Sequence, residues 1–239
     1  LRLDATHALI DDSKEHFLAQ LSREVREAVN RPVTLIAEDS RNLNRIVKPR
    51  ERSGYGFDAI WADDFHHAIR RLTAGDHEGY FADYEGTTDE IACALNQGWL
   101  AHARGGTDPK GMRPDQFVFC IQNHDQIGNR ALGERLHHQI SDATYRAVSA
   151  LLLLSPYRVL VFMGQEWSAN SPFLFFTNHK SELGQQVTEG RRREFSSFEQ
   201  FRDPEKRKVI PDPQSQETFI RSQLNQEERE KEPHVYVLN

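Results

Sequence analysis

The chain repeats one pattern, a short apolar segment that ends abruptly in acidic, amide or imidazole side chains. The clearest example is 117–129, where the apolar run 118–121 leads directly into Asn123, His124 and Asp125. An apolar run without polar alternation is typical of a strand buried on both faces. Polar groups directly after such a strand are typical of α/β barrels, whose active sites lie at the carboxyl ends of the strands. The alternative is that Asn123 and Asp125 only cap the following turn.

The same pattern occurs along the whole chain and predicts the fold class. Predicted strands cover 1–3, 33–37, 57–61, 118–121 and 159–162. Helical spacing or capping residues predict helices over 12–30, 68–72, 88–99, 142–154, 190–201 and 217–230, with Asp12, Thr88 and Asp142 as caps and loops at 40–56, 75–84, 104–114 and 203–216. Strands that alternate with helices indicate parallel βαβ units. Repeated polar strand ends favour a closed barrel over a doubly wound sheet.

Composition excludes several classes of function. With 239 residues, the chain could form one large domain or two small ones. A net charge of -6 without a basic block argues against nucleic-acid binding. No apolar run reaches the ~18 residues of a membrane-spanning helix, and no leader is visible, so a cytoplasmic location is expected. Cys93 and Cys120 are expected to be reduced core residues. Glycine-rich phosphate-binding motifs are absent, so nucleotide binding has no support.

Three carboxylates follow predicted strands and suggest a reaction. Asp4, Glu38 and Asp125 would all project into the mouth of a barrel. Retaining glycoside hydrolysis uses two carboxyl groups roughly 5–5.5 Å apart, one as nucleophile and one as acid and base. Aromatic side chains in loops or at strand ends could contact sugar faces, although packing is the alternative for each. They are Trp61, Tyr80, Phe81, Tyr84 and Trp167.

The same carboxylates carry a resemblance to a known family. The segment 2–7 (Arg-Leu-Asp-Ala-Thr-His) resembles the second signature region of the alpha-amylase family, glycoside hydrolase family 13. Glu38 and 123–125 resemble the third and fourth regions, in the family's order. Longer strings resemble one subgroup, the hydrolases that release trehalose from malto-oligosaccharides with a trehalose end. These strings are 36–42, 61–67, 122–130, 162–167 and 189–195.

The resemblance implies roles for individual residues. Asp4 would be the nucleophile, Glu38 the general acid and base, and Asp125 the stabiliser of the transition state. Arg2 would orient Asp4 and keep it ionised. The remaining expected substrate contacts are His7, His124, Trp61, Asp63, Asp64, Gln126 and Trp167. The implied reaction cleaves the α-1,4 bond next to a terminal trehalose, uses a malto-oligosaccharide as its partner, and needs no metal or organic cofactor.

The resemblance also implies that the chain is a fragment of the catalytic domain. Leu1 would lie in the fourth barrel strand, so the chain would supply strands four to eight over 1–201. Residues 202–239 would form a charged segment leading to a missing β-sandwich domain. Such a fragment would have two unpaired sheet edges, and we expect it alone to be inactive and prone to aggregate.

Three other functions remain alternatives. A glycogen-branching or other transglycosylating relative would use the same carboxylates with a sugar as acceptor. A catalytically silent carbohydrate-binding relative would be expected to lack one of them, and all three are present. Adjacent His66-His67 and Asp63-Asp64 invite a metal hydrolase, but no His-x-x-x-His pair on a helix supports one. His137-His138, Arg191 to Arg193 and 227–232 are predicted to be solvated surface groups.

Overall fold

The computed structural model describes residues 1–100 and 105–238, and the side chains of Tyr236 and Leu238 are left aside. The chain divides into two compact units. The first comprises Leu1–Ile121 and Val148–Leu160, and the second comprises Gln122–Ala147 and Val161–Asn239. The predicted boundary between 201 and 202 stays a prediction.

The first unit is built on a parallel sheet. Its strands are β1 (Arg2–Leu3), β2 (Ile36–Ala37), β3 (Ala59–Trp61), β4 (Phe117–Phe119) and β5 (Arg158–Val159). Each strand pairs with the next in chain order, and every pair is parallel. The register places Arg2 beside Ile36, and Ile60 beside Phe117. The prediction of a parallel α/β fold is confirmed.

All five strands are shorter than predicted, and β2 and β5 show why. Ahead of β2 the bonding is irregular, because the N–H of Leu35 donates to the Asp58 carboxylate at 2.7 Å while Leu35 O accepts the N–H groups of Asp58 and Ala59. Strand β5 covers Arg158–Val159, and both residues are exposed, so the fifth strand predicted at 159–162 is present with different bounds. The N–H of Leu160 still donates to Phe119 O. The N–H of Phe162 instead donates to the side chain of Gln165, which makes this segment a turn.

The helices of the described residues have these bounds: α1 Phe17–Ala28, α2 Asp64–Thr73, α3 Thr88–Gln97, α4 His124–Gly128, α5 Asp142–Leu153, α6 Ser181–Glu194, α7 Pro204–Arg207, α8 Gln216–Arg221 and α9 His234–Leu238. Short 3-10 turns occupy much of the remaining chain, among them Thr6–Ala8, Asn44–Ile46 and Gly79–Asp83. The predicted helices over 68–72 and 142–154 are present. The predicted loop at 104–114 begins outside the described residues.

Helix caps lie elsewhere than predicted. Helix α1 begins at Phe17, because His16 Nδ1 accepts the N–H of Leu18, whereas Asp12 caps nothing there. Helix α3 is capped by Thr87 instead of Thr88, in a capping box with Glu90. At the start of α5, Ser141 Oγ accepts the N–H of Thr144. In each case a neighbouring polar side chain satisfies the free N–H groups of the first turn.

The charged helices of the carboxyl-terminal third were also placed inaccurately. The prediction over 190–201 is wrong in its bounds, since α6 covers Ser181–Glu194 and 3-10 turns follow at Phe195–Ser197 and Glu199–Phe201. The predicted helix over 217–230 is split into α8 and a 3-10 turn at Gln226–Glu230. Charged residues without an apolar stripe fix neither the start nor the end of a helix.

The interior of the first unit is aromatic around β4. Phe119 stacks on Phe65 with ring centroids 4.8 Å apart, and Phe117 meets the edge of Trp99 at 5.1 Å. Cys120 is buried, and neither it nor Cys93 forms a disulfide bond. None of the described helices is long and apolar enough to cross a membrane.

Candidate active site

The ends of β1 and β2 bring two carboxylates onto one guanidinium. Arg2 Nη1 donates to Asp4 Oδ1 at 2.7 Å, and Arg2 Nη2 donates to Glu38 Oε2 at 2.6 Å. The parallel register of β1 and β2 sets this arrangement, because Leu3 lies beside Ala37 and both acidic residues follow directly. Asp4 and Glu38 are therefore both hydrogen-bonded to Arg2, and all three are predicted site residues.

The backbone around Glu38 is held by the turn that follows β1. Ala5 has a left-handed backbone (φ 43°), which directs its N–H to Glu38 Oε2 at 3.0 Å. Thr6 donates both its N–H and its hydroxyl to Glu38 O at 2.9 Å. The same hydroxyl lies 3.0 Å from the carboxylate of buried Asp39. A non-glycine residue at positive φ is uncommon and is found where a site requires it.

The two carboxylates have different surroundings. The side chain of Asp4 is 75% exposed, whereas those of Glu38 and Arg2 are 20% and 25% exposed. Carboxyl groups in unlike environments can hold different protonation states, which is what one nucleophile and one proton donor require. Asp4 and Glu38 therefore share one guanidinium but differ in their access to solvent.

Trp61, at the end of β3, lies against the same guanidinium. The Arg2 guanidinium carbon is 4.2 Å from the centroid of the Trp61 ring. The indole is 8% exposed and packs in a cluster with Ala59 and Val118. Trp61 was predicted to contact sugar, and the structure places its ring face against Arg2.

The acidic pair after β3 is divided between two environments. Asp63 is partly exposed, and its Oδ1 lies 3.2 Å from Nε2 of buried His66. Asp64 is buried and accepts hydrogen bonds from Asn42 Nδ2 at 2.9 Å, Tyr84 OH at 2.6 Å and Leu100 N at 2.6 Å. These bonds tie the loop after Glu38 to α2, a contribution that sequence spacing alone could not reveal.

The predicted aromatic residues of 80–84 pack around an imidazole. His67 lies 5.0 Å from the Tyr80 ring, 5.3 Å from the Phe81 ring and 5.0 Å from the Tyr84 ring. Tyr84 OH donates to Asp64, so it accepts from Nδ1 of His67. Of this group only Tyr80 is exposed, and His7 is exposed in its own turn.

The fourth signature segment belongs to the second unit. Asn123 caps α4, because its Oδ1 accepts the N–H of Gln126 at 2.8 Å. His124 and Asp125 begin the helix, and their side chains are 45% and 38% exposed, with Nε2 and Oδ2 3.3 Å apart. Both can therefore reach a ligand from the first turn of α4.

The loop 163–171 carries Trp167 and is held through alternate backbone carbonyls. Buried Arg135 donates to Met163 O at 2.9 Å and to Ser171 O at 2.7 Å. The other holding bonds run from Tyr145 OH to Gln165 O, from His234 Nδ1 to Trp167 O, and from His137 Nε2 to Ala169 O. Burial lowers the pKa of Arg135 to about 10. Trp167 is buried. No local sequence signal predicts that these side chains hold the backbone carbonyls of the loop.

Two groups predicted to be solvated are not. His137 is partly buried, with its imidazole edge against the Tyr145 ring. His138 is more exposed, but its Nε2 donates to Ala169 O at 3.3 Å and burial lowers its pKa. Arg191 is buried and donates to Gly128 O at 2.6 Å and to Arg130 O at 2.9 Å, and burial lowers its pKa. Backbone carbonyls at the end of α4 and just after it thus accept from this cation where the sequence suggested a surface charge.

His137 should make the stability of the second unit depend on pH. Burial lowers its pKa from 6.5 to about 4, and the charges of His138 and Arg135 act in the same direction. The unfolded chain therefore takes up a proton on His137 before the folded chain does. The stabilisation is complete above about pH 6.5 and is lost as the pH falls towards 4, by about 3 kcal/mol.

Denaturant unfolding at several pH values checks this expectation. The His137→Gln variant keeps a donor for Ala169 O and removes the titrating ring. It should therefore be less sensitive to pH between 6.5 and 4 than the unmodified protein. Parallel stability curves for the two proteins would show that His137 is not the responsible group.

The chain resembles solved and curated proteins along its whole length. A crystal structure of a Salmonella typhimurium protein described as a candidate alpha amylase superposes with a TM-score of 0.88 at 36% identity, covering 99% of this chain and 41% of that one. The predicted resemblance to the alpha-amylase family is confirmed at this level. No protein-family model matches the chain.

The names of curated relatives show which members of the alpha-amylase family this chain resembles. Malto-oligosyltrehalose trehalohydrolases from Deinococcus radiodurans, Arthrobacter ramosus and Rhizobium sp. are 43%, 39% and 38% identical over all of this chain. The closer resemblance, to malto-oligosyltrehalose trehalohydrolase, is therefore confirmed as well. The chain spans 40%, 43% and 41% of the length of these three relatives.

Proposed function

We propose that the complete gene product containing this chain is a retaining glycoside hydrolase. It cleaves the α-1,4-glucosidic bond next to the terminal trehalose of a malto-oligosaccharide and releases trehalose. The observation that supports this most directly is the pair of carboxylates, Asp4 and Glu38, that share the Arg2 guanidinium at strand ends. The names of the similar relatives point to the same substrate.

In the proposed reaction, Asp4 is the nucleophile. Its carboxylate oxygen attacks the anomeric carbon, the bond to the leaving oxygen breaks, and Glu38 gives that oxygen its proton. In the second step Glu38 takes a proton from water, the water oxygen attacks the same carbon, and the bond to Asp4 breaks. Both steps conserve charge without a metal.

The hydrogen bonds of Glu38 select the oxygen that carries the proton. Glu38 Oε2 accepts from Arg2 Nη2 and from the N–H of Ala5. Protonating Oε2 would disturb two charge-assisted or backbone hydrogen bonds, whereas protonating Oε1 leaves both in place. The catalytic proton is therefore carried on Oε1.

We further propose that Asp125 stabilises the positive charge that develops on the sugar. Its exposure and that of His124 in the first turn of α4 support contact with substrate. His7, Asp63 and Gln126 are the other polar side chains that remain proposed contacts. Trp167 and Asp64 are buried, so their proposed effect on substrate is exerted through the loops that they hold.

The five-stranded sheet can form part of a larger barrel. We propose that β1 to β5 are the fourth to eighth strands of a (β/α)8 barrel, with 1–201 in the catalytic domain and 202–239 leading out of it. The parallel order of the five strands supports this. The isolated chain is then expected to lack activity.

Product analysis tests the proposed function. The complete gene product is incubated with maltotriosyltrehalose and, in parallel, with amylose. Free trehalose and maltotriose are expected from the first substrate, with slower reaction on the second. Longer or branched products without trehalose would identify a transglycosylase instead, and absence of turnover on both substrates would overturn the proposal.

A further inference from the structure

The contact between Arg2 and Trp61 has a consequence for catalysis. The guanidinium lies 4.2 Å from the indole centroid and at the same time holds both Asp4 and Glu38. Three neighbours therefore fix one long side chain, two through its nitrogen atoms and one through its face. A cation that stacks on tryptophan in a partly desolvated site is attracted by the ring's quadrupole as well as by contact.

The indole is itself immobile. Trp61 packs with buried Ala59 and Val118, and partly buried Ile36 and Leu160 pack against this cluster. These residues come from β2, β3 and β4 and from the end of β5, so the sheet holds the ring in place. A ring fixed by the sheet can set the plane of the guanidinium that rests on it.

We propose that Trp61 is a positioning residue that acts through Arg2, and that it does not bind sugar. Because Asp4 is largely exposed, its direction depends on the Arg2 guanidinium more than on packing. Without the indole face the guanidinium can rotate among other rotamers, and both carboxylates lose their common anchor. This inference rests on the proposed function.

Two variants of similar volume isolate the effect of the ring face. Trp61→Phe and Trp61→Leu leave a comparable cavity, so both should lose a similar amount of thermal stability. Only phenylalanine presents an aromatic face to Arg2. We expect kcat for trehalose release to fall about 10-fold further in Trp61→Leu than in Trp61→Phe, with KM within about 3-fold of the unmodified enzyme.

Trp99→Phe is the matched control. Trp99 is fully buried in the same unit and contacts Phe117, so this variant should lose stability while kcat stays unchanged. If Trp61→Leu does not fold, Trp61→Met replaces it, because methionine fills a similar volume without a ring.

Each outcome of the comparison decides one question. A rise in KM with kcat retained in both Trp61 variants would make Trp61 a sugar contact and overturn the proposal. Equal kcat in the phenylalanine and leucine variants would reduce its role to packing, which also overturns it. Failure of the unmodified enzyme to release trehalose would instead count against the proposed function.

Discussion

Glu38→Gln is expected to lower kcat for trehalose release by about 1,000-fold, within the range measured for removal of a general acid and base. Glutamine keeps an oxygen that can accept from Arg2 and from the N–H of Ala5, so the fold around it should be retained. It cannot give a proton to the leaving oxygen. The loss should therefore appear in catalysis and not in thermal stability.

A substrate with a better leaving group distinguishes the role of Glu38 from that of Asp4. A glycosyl fluoride needs little protonation to depart, so Glu38→Gln should still form the covalent intermediate from it in a rapid first step. Asp4→Asn should fail with the natural substrate and with the fluoride alike, because it removes the attacking oxygen. Single-turnover release of fluoride is the measurement.

Glu24→Gln provides the control for these substitutions. Glu24 lies in α1 with its side chain 55% exposed, and neutralising it should leave turnover unchanged. If Glu38→Gln retained more than about a tenth of normal kcat on the natural substrate, general acid catalysis by Glu38 would be refuted.

The sequence carried the order of the strands and the carboxylates at their ends because both depend on local patterns. An apolar run predicts a buried strand, and a polar residue directly after it must lie at the carboxyl end of that strand. Local patterns do not predict which of two adjacent polar residues is buried. Asp63 and Asp64 are adjacent, yet only Asp64 is buried, since its partners Asn42, Tyr84 and Leu100 come from distant parts of the chain.

The second unit was harder to predict for a related reason. His137 and Arg191 have polar neighbours in sequence and read as surface groups. Their acceptors are the backbone carbonyls Ala169 O and Gly128 O, and a backbone carbonyl leaves no signal in the sequence of the residue that offers it. The polar groups of buried side chains can therefore be satisfied where composition indicates only solvation.

Gly98→Ala is expected to destabilise the first unit by about 3 kcal/mol, because two costs combine at this position. Gly98 follows α3 with φ 96°, where a side chain is strained. A Cβ there would also lie 2.4 Å from the Phe117 ring. Phe117 is buried in β4 between Trp99 and Tyr157, so its ring cannot move aside.

Gly75→Ala measures the backbone strain without the steric clash. Gly75 follows α2 with φ 76°, and a Cβ there would meet no atom within 4 Å. Its substitution should therefore cost only the backbone strain, about 1 kcal/mol. Denaturant unfolding of both variants measures the difference, and equal losses would show that the ring yields.

A third substitution identifies the contact responsible for that difference. Phe117→Leu removes the ring against which the new methyl group would press, so adding Gly98→Ala to it should cost less than adding Gly98→Ala to the unmodified protein. The two substitutions are in contact and should not be additive. Additive losses would place the strain in the backbone of Gly98 alone.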